Sequence, residues 1–447
     1  MSLRFGTDGI RGVANRDLTP ELVTAVGRAA VRVLGADRPF VVGRDTRRSG
    51  PMLESALVAG LCAEGADVLL AGVLPTPAVA TLAHARNAPA VMLTASHNPF
   101  PDNGVKIFAP GGYKLTDDVE QAIESALRAV RNGVDDGPVG AGVGVASELR
   151  NALDEYVVHI DRALEGRRLG GTRVVVDCAN GAAFRAAPRV FAELGAHVEV
   201  LHAAPNGANV NDRCGSTDPS DLQRAVVAMG ADAGLAFDGD ADRLIAVDEH
   251  GGIVDGDQLL AIAAFDLLER GRLRNDAVVV TQMANGGLHR TLRNAGIGVI
   301  EVEVGDRNVL DALRRHDLVL GGEQSGHLVY SELSTTGDGV LAGALLLDVL
   351  SATGQPLSAL ASIVKRMPQV LRSVPVADKA ALETDREFWR IAQVVGDGLG
   401  DGRVLVRPSG TEAVVRVMVE ADTELAAEQA AVRLATAVEI ACGSPVG

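Results

Sequence analysis

The sequence predicts a multidomain α/β protein with an α+β last part, and three observations predict it. The chain has 447 residues, more than one hydrophobic core organises at ~100–200 residues per domain, so two to four domains are expected. Apolar, β-rich runs alternate with helical patterns as far as Arg366-Met367-Pro368. That is the rhythm of buried, mostly parallel sheets layered with helices. Beyond it the pattern changes to two strands joined by a loop and one long helix.

Taken in order, 40–43 reads as a strand, 52–65 as a helix, 67–73 as a strand, 77–86 as a helix and 90–93 as a strand. The cycle returns at 173–177, 233–237 and 277–281. A glycine-rich stretch at 133–144, before a polar helix at 147–164, marks a first boundary. Gly251-Gly252, after a strand at 244–248, marks a second, and Arg366-Met367-Pro368 a third. The expected domains are 1–150, 151–252, 253–367 and 368–447, the last with strands at 404–407 and 414–420 and an amphipathic helix at 423–440.

Composition narrows the function. Hydrophobic residues make up 47% but aromatics only 3%, so the cores are built from Val, Leu, Ile and Ala. Glycine, at 51 residues, is about 11% against a usual ~7%, which points to tight turns and close backbone approaches. The net charge of −16 opposes general affinity for nucleic acid or an anionic membrane. An anionic substrate must then be held by local cations. Cys62, Cys178, Cys214 and Cys442 form no CxxC pair and read as reduced thiols of a cytoplasmic protein. The opening residues lack the apolar stretch of a signal peptide, and the apolar run at 340–347 ends at Asp348, too short to span a bilayer.

Four stretches carry chemistry. Thr94-Ala95-Ser96-His97-Asn98-Pro99 follows the strand Ala90-Val91-Met92-Leu93, where open α/β sheets bind ligands. A serine there can act as a nucleophile if a neighbour or metal activates it; alone, the run also reads as an ordinary turn. Phe237-Asp238-Gly239-Asp240-Ala241-Asp242-Arg243 sets three carboxylates at alternate positions with no Cys or His among them, the donor set of a hard cation, Mg²⁺ or Mn²⁺. A calcium loop of the EF-hand kind needs Gly at its sixth position, where Arg243 stands.

Arg407-Pro408-Ser409-Gly410-Thr411-Glu412, with Arg416 beyond, offers the hydroxyls, amides and guanidinium groups that suit a phosphate dianion, or else a polar hairpin turn. Gly321-Gly322-Glu323-Gln324-Ser325-Gly326-His327, after a strand read at 318–320, presents Glu323 and Ser325 at alternate positions, an acceptor and a hydroxyl for sugar hydroxyls, or a glycine-rich turn. Arg11, in a glycine-rich loop, and Lys106 add cations that can neutralise a transferring phosphoryl group. His97 and Lys106 are both candidates for proton transfer.

These motifs, in this order and spacing, resemble the α-D-phosphohexomutase superfamily over essentially the whole chain. The opening Phe5-Gly6-Thr7-Asp8-Gly9-Ile10-Arg11-Gly12, Gly72-Val73-Leu74-Pro75-Thr76-Pro77, the stretch from Asn206-Gly207 to Cys214-Gly215-Ser216-Thr217, and Gln324 resemble its phosphoglucosamine mutase branch. One departure is Ala413-Val414-Val415, where the family more often has Pro followed by apolar residues.

The resemblance implies four domains around a central cleft, three α/β with mixed sheets and a C-terminal α+β domain. It implies a phosphorylated Ser96, with Mg²⁺ held by Asp238, Asp240, Asp242 and a phosphate oxygen on that serine. Arg11, Lys106 and Arg243 would stand near the reacting phosphate. Glu323 and Ser325 would contact sugar hydroxyls, and Arg407, Ser409, Gly410 and Thr411, with Arg416 nearby, the substrate's phosphate.

The implied reaction interconverts hexosamine 6- and 1-phosphates through a 1,6-bisphosphate, which also primes the serine, and feeds UDP-N-acetylglucosamine and cell-wall precursor synthesis. The partner is a small phosphosugar, with no nucleic acid or membrane, for a monomer or homodimer. Rival readings are the same chemistry on glucose or mannose phosphates, a non-catalytic sugar-phosphate sensor, and a metal-dependent phosphatase.

Overall fold

The computed structural model describes residues 9–133, 137–409 and 413–443. They form two compact units: the chain up to Met283 together with Ile297–Ile363, and Ala284–Gly296 together with the chain from Val364.

The first unit holds three sheets. In one, Phe40–Arg44 lies between Val68–Val73 and Ala90–Leu93, all parallel, with Ala146–Glu148 on the far side of Val68–Val73. On the other flank Asp102–Ala109 runs antiparallel to Ala90–Leu93 and carries Ile10–Val13 at its outer edge. In the second sheet Arg173–Asp177 pairs in parallel with His197–Leu201 and Ala233–Phe237, while Leu244–Asp248 returns antiparallel. The third repeats the plan: Ala277–Thr281 pairs in parallel with Gly298–Val302 and Leu320–Gly322, and Leu328–Tyr330 returns antiparallel.

The sheets are therefore mixed: parallel pairings outnumber antiparallel ones only in the third, and equal them in the first and second. In each sheet one parallel strand is followed at once by an antiparallel neighbour, because a short turn needs no crossover helix. The loops 94–101, 238–243 and 323–327 are these returns.

Two further expectations need correction. The helix expected at 147–164 begins only at Ala152, because Ala146–Glu148 pairs onto the edge of Val68–Val73. Of Leu318-Val319-Leu320, only Leu320 is in a strand, Leu320–Gly322. Leu318 instead caps the preceding helix, its N–H donating to the Leu313 carbonyl.

In the second unit Val414–Glu420 lies between Gln369–Pro375 and Arg403–Pro408, all antiparallel. Val415, Val417 and Val419 pack on the helix Glu424–Cys442 through Ala427, Ala431, Leu434 and Val438. The four cysteines are free. No helix among the described residues is long and apolar enough to cross a membrane.

The apolar run at 340–347 is the buried helix Gly339–Thr353. Its N-cap, Asp338, accepts from the Leu341 N–H and from the Tyr156 hydroxyl, at 2.9 and 2.8 Å. The next amide, Gly339, donates to the Ala241 carbonyl within the acidic loop. Burial outweighs the bonds to Leu341 and Tyr156 and raises the Asp338 carboxyl from 3.8 to about 6. The fold thus disfavours the carboxylate. That cost is absent below about pH 4, grows to about pH 6 and is complete above it, on the order of 2–3 kcal/mol. Asp338→Asn keeps an acceptor oxygen and removes the charge. Urea midpoints should show the variant gaining stability over wild type as pH rises from 4 to 7, then a plateau; a pH-independent offset would count against this account.

Candidate active site

Ser96 leaves the buried strand Ala90–Leu93 through Thr94 and Ala95 and adopts a left-handed backbone, φ 52°. Its N–H donates to Thr94 Oγ1 at 2.9 Å and its hydroxyl to Asp238 Oδ2 at 2.5 Å. His97 Nδ1 stands 3.4 Å from the same hydroxyl. Burial, then the charges of Arg243 and Arg11, push His97 down to about 4, so its imidazole is neutral at pH 7.

The acidic loop joins Ala233–Phe237 to Leu244–Asp248. Asp238 and Asp240 are fully buried and Asp242 nearly so. One oxygen from each lies within 4.8 Å of the others. Burial and then repulsion from Asp242 and Asp240 raise Asp238 well above the usual carboxylate range. Burial also pushes Asp240 and Asp242 upward, but Lys106 carries both below it, with help from Thr76 on Asp240 and from His327 and Arg243 on Asp242.

Lys106 lies on the returning strand Asp102–Ala109, opposite Met92. Its Nζ reaches Asp240 Oδ2 at 2.8 Å and Asp242 Oδ2 at 3.3 Å. Arg243 donates its N–H to Asp238 Oδ1 at 3.3 Å, and Arg11 comes from the edge strand Ile10–Val13. The Oδ1 atoms of Asp240 and Asp242 are buried with no hydrogen-bond partner. Three convergent carboxylates with unanswered oxygens fit a hard divalent cation such as Mg²⁺, which a serine or phosphoserine oxygen would help to hold.

The third loop is tied to the second, since the Leu244 N–H donates to the Gly326 carbonyl at 3.0 Å. Glu323 Oε1 accepts from the Gly305 N–H at 3.1 Å, and Ser325 Oγ lies 3.4 Å from Glu323 Oε2. His327 is buried and accepts at Nε2 from the Gly337 N–H, which directs Nδ1 toward Asp242 Oδ2 at 3.9 Å.

In the second unit Arg407 and Arg416 face one another across paired strands. Like charges so placed repel and suit an anion between them. Ser409 follows, and its carbonyl accepts from Lys379 at 2.5 Å. Gly410 and Thr411 lie outside the described residues.

The structure thus brings Ser96, His97, Lys106, Arg243 and the three aspartates together. Sequence reasoning missed Arg47, Thr76, Asn211, His327 and Lys379. Arg47 follows the buried strand Phe40–Arg44 as Ser96 follows Ala90–Leu93, but no side-chain pattern shows which backbone it meets.

Family models match along the chain: "Phosphoglucomutase/phosphomannomutase, alpha/beta/alpha domain I" over 2–133, domain II over 154–252, domain III over 255–367 and the C-terminal domain over 371–437. The chain is 52% identical to a phosphoglucosamine mutase of Salinispora tropica, over 100% of each. It is 52% identical to one of Mycolicibacterium vanbaalenii, over 98% of this chain and 99% of that one. A crystal structure of a phosphoglucomutase/phosphomannomutase family protein from Burkholderia thailandensis matches with TM-score 0.82 at 27% identity, covering 98% of this chain and 97% of that one. An Aspergillus fumigatus N-acetylphosphoglucosamine mutase, solved with GlcNAc-6P and magnesium, matches in fold with TM-score 0.72 at 20% identity, covering 98% and 96%.

Titration with Mn²⁺, followed by electron paramagnetic resonance, should reveal a site that Mg²⁺ displaces. Asp240→Asn should weaken it by more than ~10-fold. Unchanged affinity would remove the triad as the cation site.

Proposed function

Because the chain belongs to the phosphoglucomutase/phosphomannomutase family, we propose that it interconverts glucosamine 6-phosphate and glucosamine 1-phosphate through a phosphoserine at Ser96. The observation that carries the reading is the Ser96 hydroxyl, 2.5 Å from Asp238 within a buried acidic cluster. The amino sugar is supported by full-length relatives at 52% identity that bear the name phosphoglucosamine mutase.

The residues divide the work. Asp238, Asp240, Asp242 and the Ser96 oxygen would hold Mg²⁺, which when bound neutralises charge on the phosphoryl group. Arg11, Lys106 and Arg243 add fixed positive charge, and charge neutralisation with positioning is most of what phosphoryl transfer asks of a protein. The C1 oxygen of the sugar takes the phosphoryl group, giving a 1,6-bisphosphate. The bisphosphate turns over and returns its 6-phosphate to Ser96. Arg407, Ser409, Gly410, Thr411 and Arg416 would hold the phosphate that is not reacting, and Glu323 and Ser325 the sugar hydroxyls. A hexose 1,6-bisphosphate would prime the serine. The segments 1–150, 151–252, 253–367 and 368–447 then each supply one loop.

A ³¹P NMR time course with Mg²⁺ and a trace of hexose 1,6-bisphosphate tests the proposal. Glucosamine 6-phosphate should convert to its 1-phosphate, and Ser96→Ala should abolish conversion. Faster turnover of glucose or mannose 6-phosphate would keep the mechanism and overturn the substrate; no isomerisation would overturn the function.

A further inference from the structure

Arg47 is the largest fully buried side chain among the described residues, and all of its side-chain donors are engaged around the serine loop. Nε donates to Asp45 Oδ2 at 2.8 Å. Nη1 donates to the carbonyls of Pro99 and Asp102 at 2.5 and 2.9 Å, and Nη2 to those of Ser96 and Asn98, both at 2.8 Å. These are the five N–H bonds a guanidinium can make. From another loop, Asn211 Nδ2 donates to the same two carbonyls, Ser96 at 2.9 Å and Asn98 at 3.2 Å.

The Asn211 amide cannot turn round without setting its oxygen against two carbonyl oxygens. Its Oδ1 is buried with no hydrogen-bond partner, so donation to the serine loop is the interaction that orients it. The other end of the Ser96 residue is held by the same network: Asp45 Oδ2 also accepts from Thr94 Oγ1, which accepts from the Ser96 N–H.

We propose that Arg47 and Asn211 are positioning residues that fix the Ser96 side chain by clamping its own carbonyl oxygen from two sides. Resting on the phosphoserine reading above, the clamp has a definite use. The Ser96 hydroxyl loses its bond to Asp238 whenever it carries a phosphoryl group, so the side chain cannot hold itself in place through both half-reactions. The backbone can, and it must, because φ 52° is a conformation that L residues rarely keep without support. Lysine at 47 would offer three donors from one point and cannot span four carbonyls.

Asn211→Gly is the variant that carries the test. Asn211 is itself left-handed, φ 57°, so glycine keeps the backbone and removes only the amide. Steady-state kinetics should show kcat lowered ~10-fold or more with KM within about twofold, since a misplaced reacting group costs rate while the sugar and phosphate contacts persist. Arg47→Lys, if it folds, should lose ~100-fold in kcat, and the double variant less than the product of the two losses. Hydrogen exchange of the peptide spanning 94–104, without substrate, should be faster in Asn211→Gly.

A kcat within twofold of wild type, a rise in KM with kcat unchanged, or a kcat loss without faster exchange would each overturn the clamp. If the wild type isomerises nothing, the function proposed above falls, and the exchange rates alone decide the clamp.

Discussion

Three carboxylates gathered out of water repel one another, and much of this molecule answers that repulsion. A buried charge is tolerated when it is paired. Here Lys106 pairs with Asp240 and Asp242 from inside a strand, while Asp238 takes the serine hydroxyl as its donor. The balance is incomplete, since two carboxylate oxygens accept no hydrogen bond. That deficit is what a divalent cation would fill, so the same electrostatic cost that the fold contains makes the site selective for positive charge. A net charge of −16 on the chain sharpens the contrast: cations are drawn in by the global field, whereas an anionic sugar phosphate depends on the few arginines and lysines set at the loops.

The topology explains how such a cluster is assembled from distant sequence. In each of three sheets a parallel strand is followed by an antiparallel return, and the short return loop carries the polar residues. Equivalent hairpins therefore deliver the Ser96 loop, the acidic cluster and the loop 323–327 from separate parts of one compact unit. The fourth, between Arg403–Pro408 and Val414–Glu420, sets Arg407 and Arg416 across from one another. The design puts strand hydrogen bonding, which is strong and local, in charge of loop position, and leaves the loop side chains free to vary in chemistry.

What was legible in the sequence follows from this. Ser96, the alternate aspartates and Glu323-Gln324-Ser325 stand out because polar residues break off apolar strands, and the roles proposed for them belong to their own side chains. Arg47 and Asn211 were not legible for a physical reason: they act on main-chain carbonyls 49 and 115 positions from them, and nothing in a side-chain pattern records where a backbone will pass. The return at 244–248 was read, but those at Asp102–Ala109 and Leu328–Tyr330 were missed on similar grounds. Asp102-Asn103-Gly104-Val105-Lys106 has poor strand propensity, and it forms a strand because Ala90–Leu93 and Ile10–Val13 flank it and Lys106 finds carboxylates at the end of its reach.

The glycine excess gains a cause at the points where loops cross. A Cβ on Gly239 would sit 2.5 Å from the Ser96 carbonyl oxygen, and one on Gly326 would sit 2.0 Å from that of Leu244. Both contacts join successive loops of the site, the first the serine loop to the acidic loop, the second the strand Leu244–Asp248 to the loop 323–327. Backbone touches backbone there because any side chain would hold the loops apart by more than a hydrogen bond's length. The distance from Ser96 to Asp238 is thus set by a missing methyl group as much as by the groups that react, and a site built on such contacts is stiff only where each of them is kept.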